Sequence, residues 1–260
     1  MVCGFGPRRS TATGPIVGAV DDTYDDLRSL YLTDRRTHDD DRPWVLLNMI
    51  TSIDGAIAVD GLSGGLGNDA DFAVFSTLRS LADVILVGAG TAAAENYKVP
   101  KPSPEVLARR ESTGQAPRPV IALVSRSLRI DLDSPLFADP TYRPIVVTAG
   151  SSPEDRRSDL AAVADVVIAG DDEVDFGTAI EVLRERVGPV ILAEGGPTLN
   201  GQLVAADVLD ELCVTISPLV VGGAGGRMVA HGPDHDPRPF AVDRVAQGGG
   251  LIFTRMLRQR

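Results

Sequence analysis

The chain is poor in the residues that usually mark a metal centre or a disulfide framework. Its 260 residues include two cysteines and three histidines. Cys3 lies in a terminal segment, and Cys213 sits in the apolar run Leu212-Cys213-Val214, which reads as a buried, inert thiol. No Cys/His cluster has the spacing of a zinc site, so no metal is expected. His38, His231 and His235 fall in polar or Gly/Pro-rich segments outside any motif, where a structural role is the default. Aromatic residues make up only 5%, so the core must rest on Val, Ile, Leu and Ala. Basic residues are outnumbered, 25 Lys and Arg against 36 Asp and Glu, for a formal net charge of -11. Such a surface repels nucleic acid and anionic membrane, and neither is expected as a partner. Arg8-Arg9, Arg35-Arg36 and Arg109-Arg110 are isolated pairs that read as solvated. No apolar run reaches the roughly 18 residues that span a bilayer. The N-terminal stretch lacks the apolar centre of a signal peptide, so a cytoplasmic protein is expected.

What the chain does have is a regular alternation of apolar runs. Hydrophobic residues account for 43%, enough for a full core. Residues 1–19 read as a flexible arm and 21–33 as a short amphipathic helix with Leu27, Leu30 and Tyr31 on one face. Residues 1–42 thus precede a single domain over 43–260. Nearly continuous apolar runs at 45–50 and 84–87 predict strands buried on both faces, and 120–124, 145–148, 166–169 and 190–193 predict more. Asn68 or Asp69 can cap a helix through Leu81, with Phe72, Phe75, Leu78 and Ala82 on its inner stripe. Further helices are predicted at 178–187 and from Pro197 to about 206, while the proline-rich 96–118 reads as a surface excursion. Residues 242–247 and 251–257, joined by Gly248-Gly249-Gly250, predict a C-terminal antiparallel hairpin. The sum is an α/β fold with a mixed, mostly parallel sheet covered on both faces, the hairpin adding antiparallel edge strands.

Ligands of such sheets bind at the carboxyl ends of the strands. Two strand ends here carry glycine clusters: Gly88-Ala89-Gly90-Thr91 and Glu194-Gly195-Gly196-Pro197-Thr198-Leu199. Glycine lets the backbone approach a ligand, Pro197 suits a first helical turn, and the free N–H groups of that turn favour a phosphate. The competing reading of each cluster is a tight turn. Two clusters on neighbouring strands would make a cradle long enough for a dinucleotide. Ser125-Arg126-Ser127 follows another strand, and Arg126 could pair with a phosphate monoester such as the 2′-phosphate of NADP, or be a solvated turn residue. For acid–base work the candidates are Asp54 and Glu194; Asp54 could instead bond its own turn before Gly55. Arg79 is either an exposed helical arginine or an anion anchor at a pocket rim.

The segments Ser52-Ile53-Asp54-Gly55, then 78–91, then 194–199, then Asp210-Glu211-Leu212 and 218–223, resemble in order the reductase domain of bacterial riboflavin biosynthesis. The likeness is closest to a stand-alone actinobacterial branch of that pyrimidine reductase family without the deaminase domain. The resemblance implies a dihydrofolate-reductase-like three-layer α/β/α fold, a homodimer and NADPH as cofactor. It implies reduction of the ribosyl group of 5-amino-6-(5-phosphoribosylamino)uracil, or a close relative, to the ribityl form. It further implies that Ile50, Thr51, Gly88, Gly90, Thr91, Glu95, Ser125, Arg126, Gly195, Gly196, Pro197, Thr198 and Leu199 line the cofactor. Ser63, Arg79 and Glu194 would face a heterocyclic substrate. Two departures stand out. The family's Leu-Thr-x-Arg stretch reads Asn96-Tyr97-Lys98-Val99-Pro100-Lys101-Pro102 here, leaving Lys98 or Lys101 as substitutes, and Gly64-Gly65-Leu66 replaces an aromatic residue after Ser63. Reduction of dihydrofolate, and a non-catalytic NADPH-binding regulator, are the alternative readings.

Overall fold

A computed structural model describes residues 16–17, 24–223 and 226–260. Most of the predicted N-terminal arm, with Cys3 and Arg8-Arg9, lies outside the described residues, as does the start of the helix predicted from 21. The strands are β1 (Ile16–Val17), β2 (Trp44–Ser52), β3 (Val84–Gly88), β4 (Val120–Val124), β5 (Ile145–Thr148), β6 (Asp165–Ile168), β7 (Val190–Ala193), β8 (Glu211–Ser217), β9 (Phe240–Gly248) and β10 (Leu251–Arg258). They form one sheet in the order β1-β9-β10-β8-β2-β7-β3-β4-β5-β6. Only β10 runs against its neighbours, β8 and β9; every other pairing is parallel. The helices are α1 (Asp25–Leu32), α2 (Asp69–Leu81), α3 (Ala89–Ala94), α4 (Pro104–Ser112), α5 (Glu154–Ala161), α6 (Phe176–Arg186) and α7 (Pro197–Ala205).

The strands are apolar at successive positions because both faces are covered. Leu46, Ile85, Val87, Ile121 and Leu192 pack on one face against Leu27 and Tyr31 of α1 and Ala70, Val74 and Leu78 of α2. Their neighbours Val45, Leu47, Val84, Leu86 and Ile191 pack on the other against Ile180 and Leu183 of α6 and Leu199 and Leu203 of α7. This is the expected three-layer α/β/α architecture with a mixed, mostly parallel sheet and a C-terminal hairpin.

Several local expectations are corrected. The hairpin does not supply the edge: β1, drawn from the predicted flexible arm, pairs in parallel with β9 and lies outside it. The 96–118 excursion contains α4, which Ser103 caps by accepting a bond from Val106 N. Phe72 and Phe75 do not face the core. Phe72 is 66% exposed, and the buried side of α2 is the small-residue face Ala70, Ala73, Val74 and Leu78. Arg36 and Arg110 are not solvated. Arg110 is fully buried and donates to the carbonyls of Ser80, Ala82 and Ala116, satisfying groups that the end of α2 leaves free. Arg36 forms a buried two-pronged pair with Glu211.

The topology also places the site. The chain leaves β3 outward through β4, β5 and β6, then returns to insert β7 between β3 and β2. The carboxyl ends of these three central strands meet where the direction of winding reverses, the position that binds ligands in open α/β sheets.

Candidate active site

Glu194 is the first residue beyond β7, and its N–H donates to Leu86 O of β3 at 3.0 Å. The adjoining Gly195 O accepts from Gly88 N at 2.8 Å, which ties the two glycine clusters together. Gly195 has a φ of +84°, open to glycine and costly for most residues. A Cβ on Gly196 would lie 2.5 Å from Thr91 Oγ1, so glycine lets the start of α7 lie against the Thr91 hydroxyl as it stands.

Around this junction lies a cavity of about 690 Å³. Its floor is Asn48, Met49 and Ile50 of β2, one wall is Asp71, Phe72, Phe75 and Arg79 of α2, and Thr91, Glu95, Tyr97 and Lys98 continue the lining. Asn68 caps α2 through its side-chain oxygen and thereby fixes the wall. Arg79 donates Nε to Glu194 Oε1 at 2.7 Å and Nη2 to Oε2 at 2.6 Å. Its guanidinium lies 4.2 Å from the Phe75 ring centre and 4.9 Å from that of Tyr97. Tyr97 Oη donates to Glu194 Oε2 at 2.5 Å. Burial works against the Arg79 charge, but the Glu194 carboxylate outweighs it and holds the guanidinium protonated. Burial, reinforced by the Glu194 charge, pushes the Tyr97 hydroxyl well above its ordinary value, so it keeps its proton. Burial also raises the Asp71 carboxyl, against a smaller opposing effect of the Thr215 hydroxyl.

A second chamber of about 460 Å³ shares Thr91, Gly196 and Pro197 with the first. Gly88, Gly90, Ser125, Arg126, Glu173, Thr198, Leu199 and His231 help to line it. Pro197 is the first residue of α7, and the following N–H groups of Thr198 and Leu199 lack acceptors within the helix. The two chambers therefore form one bent cleft with backbone donors at one arm and an aromatic wall at the other. An elongated anionic ligand such as a dinucleotide fits this donor set. Asn48 lines the floor of the first chamber, and its buried Oδ1 has no hydrogen-bond partner within the protein.

Most residues singled out in the sequence converge on this cleft: Ile50, Ser63, Arg79, Thr91, Glu95, Glu194, Gly196 and Pro197 on the first chamber, and Gly88, Gly90, Ser125, Arg126, Thr198 and Leu199 on the second. Ser63 N donates to Glu95 Oε1 at 2.9 Å, which joins an expected substrate residue to an expected cofactor residue. Of the two lysines weighed against the missing arginine, Lys98 lines the cavity and Lys101 does not. Thr51 and Gly195 do not line either chamber. The Thr51 hydroxyl is spent on the carbonyls of Ser52 and Ala56, and Gly195 lies beneath the junction.

Asp54 is also outside the cleft. Its carboxylate accepts from Ser52 Oγ at 2.5 Å, Val221 N at 3.2 Å and Gly222 N at 2.8 Å. These bonds hold it at a pKa of about 2, the reverse of what a proton donor near neutrality requires. The turn-anchor reading of Asp54 is the one its surroundings support. Asp71, Tyr97, Glu173 and His231 were missed as site residues. For Asp71 a signal existed: 68, 71, 72, 75 and 79 lie on one helical face.

Among the described residues no helix is long and apolar enough to cross a membrane, and no group of three or more His, Cys, Asp or Glu could hold a metal ion. A family model, the RibD C-terminal domain, matches residues 43–244. A 2,5-diamino-6-ribosylamino-4(3H)-pyrimidinone 5′-phosphate reductase of Archaeoglobus fulgidus is 27% identical over 80% of this chain and 95% of its own length. A protein of the same name from Methanothermobacter thermautotrophicus is 29% identical over 77% of this chain and 89% of its own. The crystal structure of a pyrimidine reductase-like protein from Corynebacterium diphtheriae superposes with a TM-score of 0.76 at 29% identity, covering 84% of this chain and 92% of that one.

Proposed function

The chain belongs to the RibD C-terminal domain family, and from that membership we propose that it is an NADPH-dependent reductase of ribosylaminopyrimidine 5′-phosphates. The relatives matched over most of their own length carry the name of the diaminopyrimidinone compound, which makes it the first substrate to test, with 5-amino-6-(5-phosphoribosylamino)uracil second. The observation that carries the reading is the two-armed cleft whose arms meet at Thr91, Gly196 and Pro197.

In this proposal Gly88, Gly90, Thr91, Ser125, Arg126 and the first turn of α7 hold the dinucleotide. NADPH, when bound, supplies the hydride that arrives at C1′ of the sugar. The substrate side requires the C1′–O4′ bond to break as the exocyclic nitrogen gives up its proton and forms C1′=N, O4′ to gain a proton, and the nitrogen to take one proton back as the hydride reaches C1′. Glu194 is the proton-handling carboxylate: its Oε2 accepts the hydrogen bond of the Tyr97 hydroxyl, and its two oxygens fix Arg79 in the cavity wall. Phe72, Phe75 and Met49 give the cavity an apolar surface for the heterocycle. The proposal includes the homodimer and the cytoplasmic location implied by the resemblance. Light scattering checks the first.

A second reading, reduction of a dihydropterin such as dihydrofolate, is favoured by one observation. Among the described lining residues of the first chamber the cations are Arg79, committed to Glu194, and Lys98, while Asp69, Asp71 and Glu95 add negative charge. That balance suits an unphosphorylated ring rich in N–H donors.

One panel tests both readings. Purified protein with NADPH and each pyrimidine should lose reduced-nicotinamide absorbance and yield a product heavier by two hydrogens. Turnover of dihydrofolate alone would replace the first reading with the second, and NADPH binding without turnover of any compound would leave a regulator.

A further inference from the structure

Arg126, at the turn after β4, and Glu173, in the loop after β6, face each other across the mouth of the second chamber. Arg126 Nη1 lies 2.9 Å from Glu173 Oε1. Both side chains are about two-thirds exposed, at 64% and 67%, so the pair is held loosely and either partner can swing to a ligand.

The backbones beneath them are far less free. Ser125 N bonds Val147 O at 3.0 Å, and Ser125 Oγ accepts from Leu128 N, which fixes the turn carrying Arg126. Under Glu173, Gly170 adopts a φ of +89°, and a Cβ there would lie 2.3 Å from Glu173 O. The same loop is tied at Asp171 O by Ser151 N, at Asp172 O by Ser151 Oγ, and at Ala169 O by Asp175 N. Two rigid turns thus present a guanidinium and a carboxylate to the same point of the cleft.

The two groups read opposite features of an adenosine ribose. A carboxylate accepts a hydrogen bond from a free 2′-hydroxyl, and a guanidinium forks onto a 2′-phosphate. A phosphate drawn to Arg126 also comes up against Glu173, because the two side chains are in contact. The repulsion subtracts from the attraction. We propose that Glu173 is a specificity-determining residue of this site: it weakens discrimination in favour of the 2′-phosphorylated dinucleotide and lets the non-phosphorylated one, NAD(H), use the same cleft. The inference rests on the reading of the cleft as a nicotinamide-dinucleotide site.

The test is calorimetric titration of the full chain with NADP⁺ and NAD⁺. Wild-type protein is expected to bind both, NADP⁺ the more tightly by no more than about tenfold, as expected when a like charge opposes the phosphate. E173Q should tighten NADP⁺ by about three- to tenfold and leave NAD⁺ unchanged or weaker, and E173K should extend the same trend. R126Q should weaken NADP⁺ and spare NAD⁺. An E173Q protein whose NADP⁺-to-NAD⁺ ratio stays within about twofold of wild type overturns the inference. So does a wild type that binds NADP⁺ but not NAD⁺. Both of these outcomes leave the dinucleotide reading standing, whereas a wild type that binds neither nucleotide overturns both.

Discussion

Arg79 and Glu194 come from different elements, the last turn of α2 and the end of β7, and lock together through two parallel hydrogen bonds of 2.7 and 2.6 Å. The pair determines what either residue can do alone. Both Glu194 oxygens are already acceptors, with Tyr97 as a third donor, so the carboxylate is aimed before any substrate arrives. Arg79, flanked by the rings of Phe75 and Tyr97, cannot swing away to follow a mobile phosphate.

Glu194→Gln should therefore lower kcat by about 10²- to 10⁴-fold, the range typical of a lost proton-handling group. Tyr97→Phe should lower kcat with a smaller change in KM, since the ring and its contact with Arg79 remain. Steady-state kinetics on the pyrimidine substrate separates the two parameters. A Glu194→Gln enzyme with wild-type kcat would remove Glu194 from the chemistry.

Gly196→Ala tests the cofactor arm. The added methyl would lie 2.5 Å from Thr91 Oγ1, so the Thr91 hydroxyl must turn away from the junction or the start of α7 must shift. Overpacking of this kind costs about 1–3 kcal/mol, and NADP⁺ affinity should fall by about tenfold or more. Combining the change with Thr91→Ala removes the colliding oxygen and should restore part of the binding, measured by titration. No recovery in the double variant would place the damage elsewhere.

Asp54 leads to a pH prediction. Its pKa is about 2 in the folded chain, below its ordinary 3.8. A depressed carboxyl lends stability above its ordinary pKa and loses it as the pH falls toward the folded value. The bonds to Val221 and Gly222 should thus weaken only between about pH 4 and 2. Near neutrality, Asp54→Asn should leave the shape of the pH–rate profile unchanged, and any loss should appear as looser packing of residues 219–222 in hydrogen exchange. A limb of the profile that disappears in the variant would restore Asp54 as a catalytic acid.

The sheet was legible because its strands are covered on both faces, so that almost every position in β2, β3, β4, β5 and β7 had to be apolar. Asn68 announced the start of α2 for a local reason, its own bond to Ala70 N. What stayed hidden depends on residues far apart in sequence. Arg79 and Glu194 are 115 positions apart, and nothing local says that they pair. The buried arginines were misread because an arginine looks solvated until the carbonyls or carboxylate that receive it are placed. Phe72 and Phe75 were assigned to the core because helical spacing shows an apolar face without saying whether protein or cavity lies against it. Asp54 belongs to a matching segment and Thr51 adjoins it, but both side chains are spent on holding turns rather than on walling the cleft.

Away from the site, Glu211 should set the acid limit of the fold. It is fully buried between Arg36 and Arg255 and also accepts from Trp44 Nε1. Burial alone would raise its pKa, but the Arg36 charge and the bonds from Arg255 and Arg36 overcome this and bring it from 4.5 to about 2. The stabilisation is complete above about pH 4.5 and is lost as the pH falls toward 2. Glu211→Gln removes the carboxylate buried between Arg36 and Arg255, leaves them only their contacts with Asp34 and Asp243, and should cost about 3–5 kcal/mol. Urea unfolding at neutral pH measures that loss, and a change under about 1 kcal/mol would show that Asp34 and Asp243, already in contact with the arginines, suffice as counter-charges.

Phe72 separates the site from the scaffold. A large ring that is 66% exposed in the wall of a cavity contributes little to the core, so Phe72→Ala should change stability by less than about 0.5 kcal/mol. It lies 6.4 Å from the Phe75 ring, and together the two present an aromatic surface to whatever planar group enters. Stacking on such a surface contributes about 0.5–1.5 kcal/mol beyond area burial, so KM for the heterocyclic substrate should rise by about three- to tenfold while NADP⁺ affinity, set in the other chamber, holds. Phe72→Tyr or Phe72→Trp should retain most of the substrate affinity, because either ring keeps a flat face toward the cavity. If Phe72→Ala instead weakened NADP⁺ and substrate alike, the nucleotide would reach past Thr91, Gly196 and Pro197, which both arms share, to the aromatic wall.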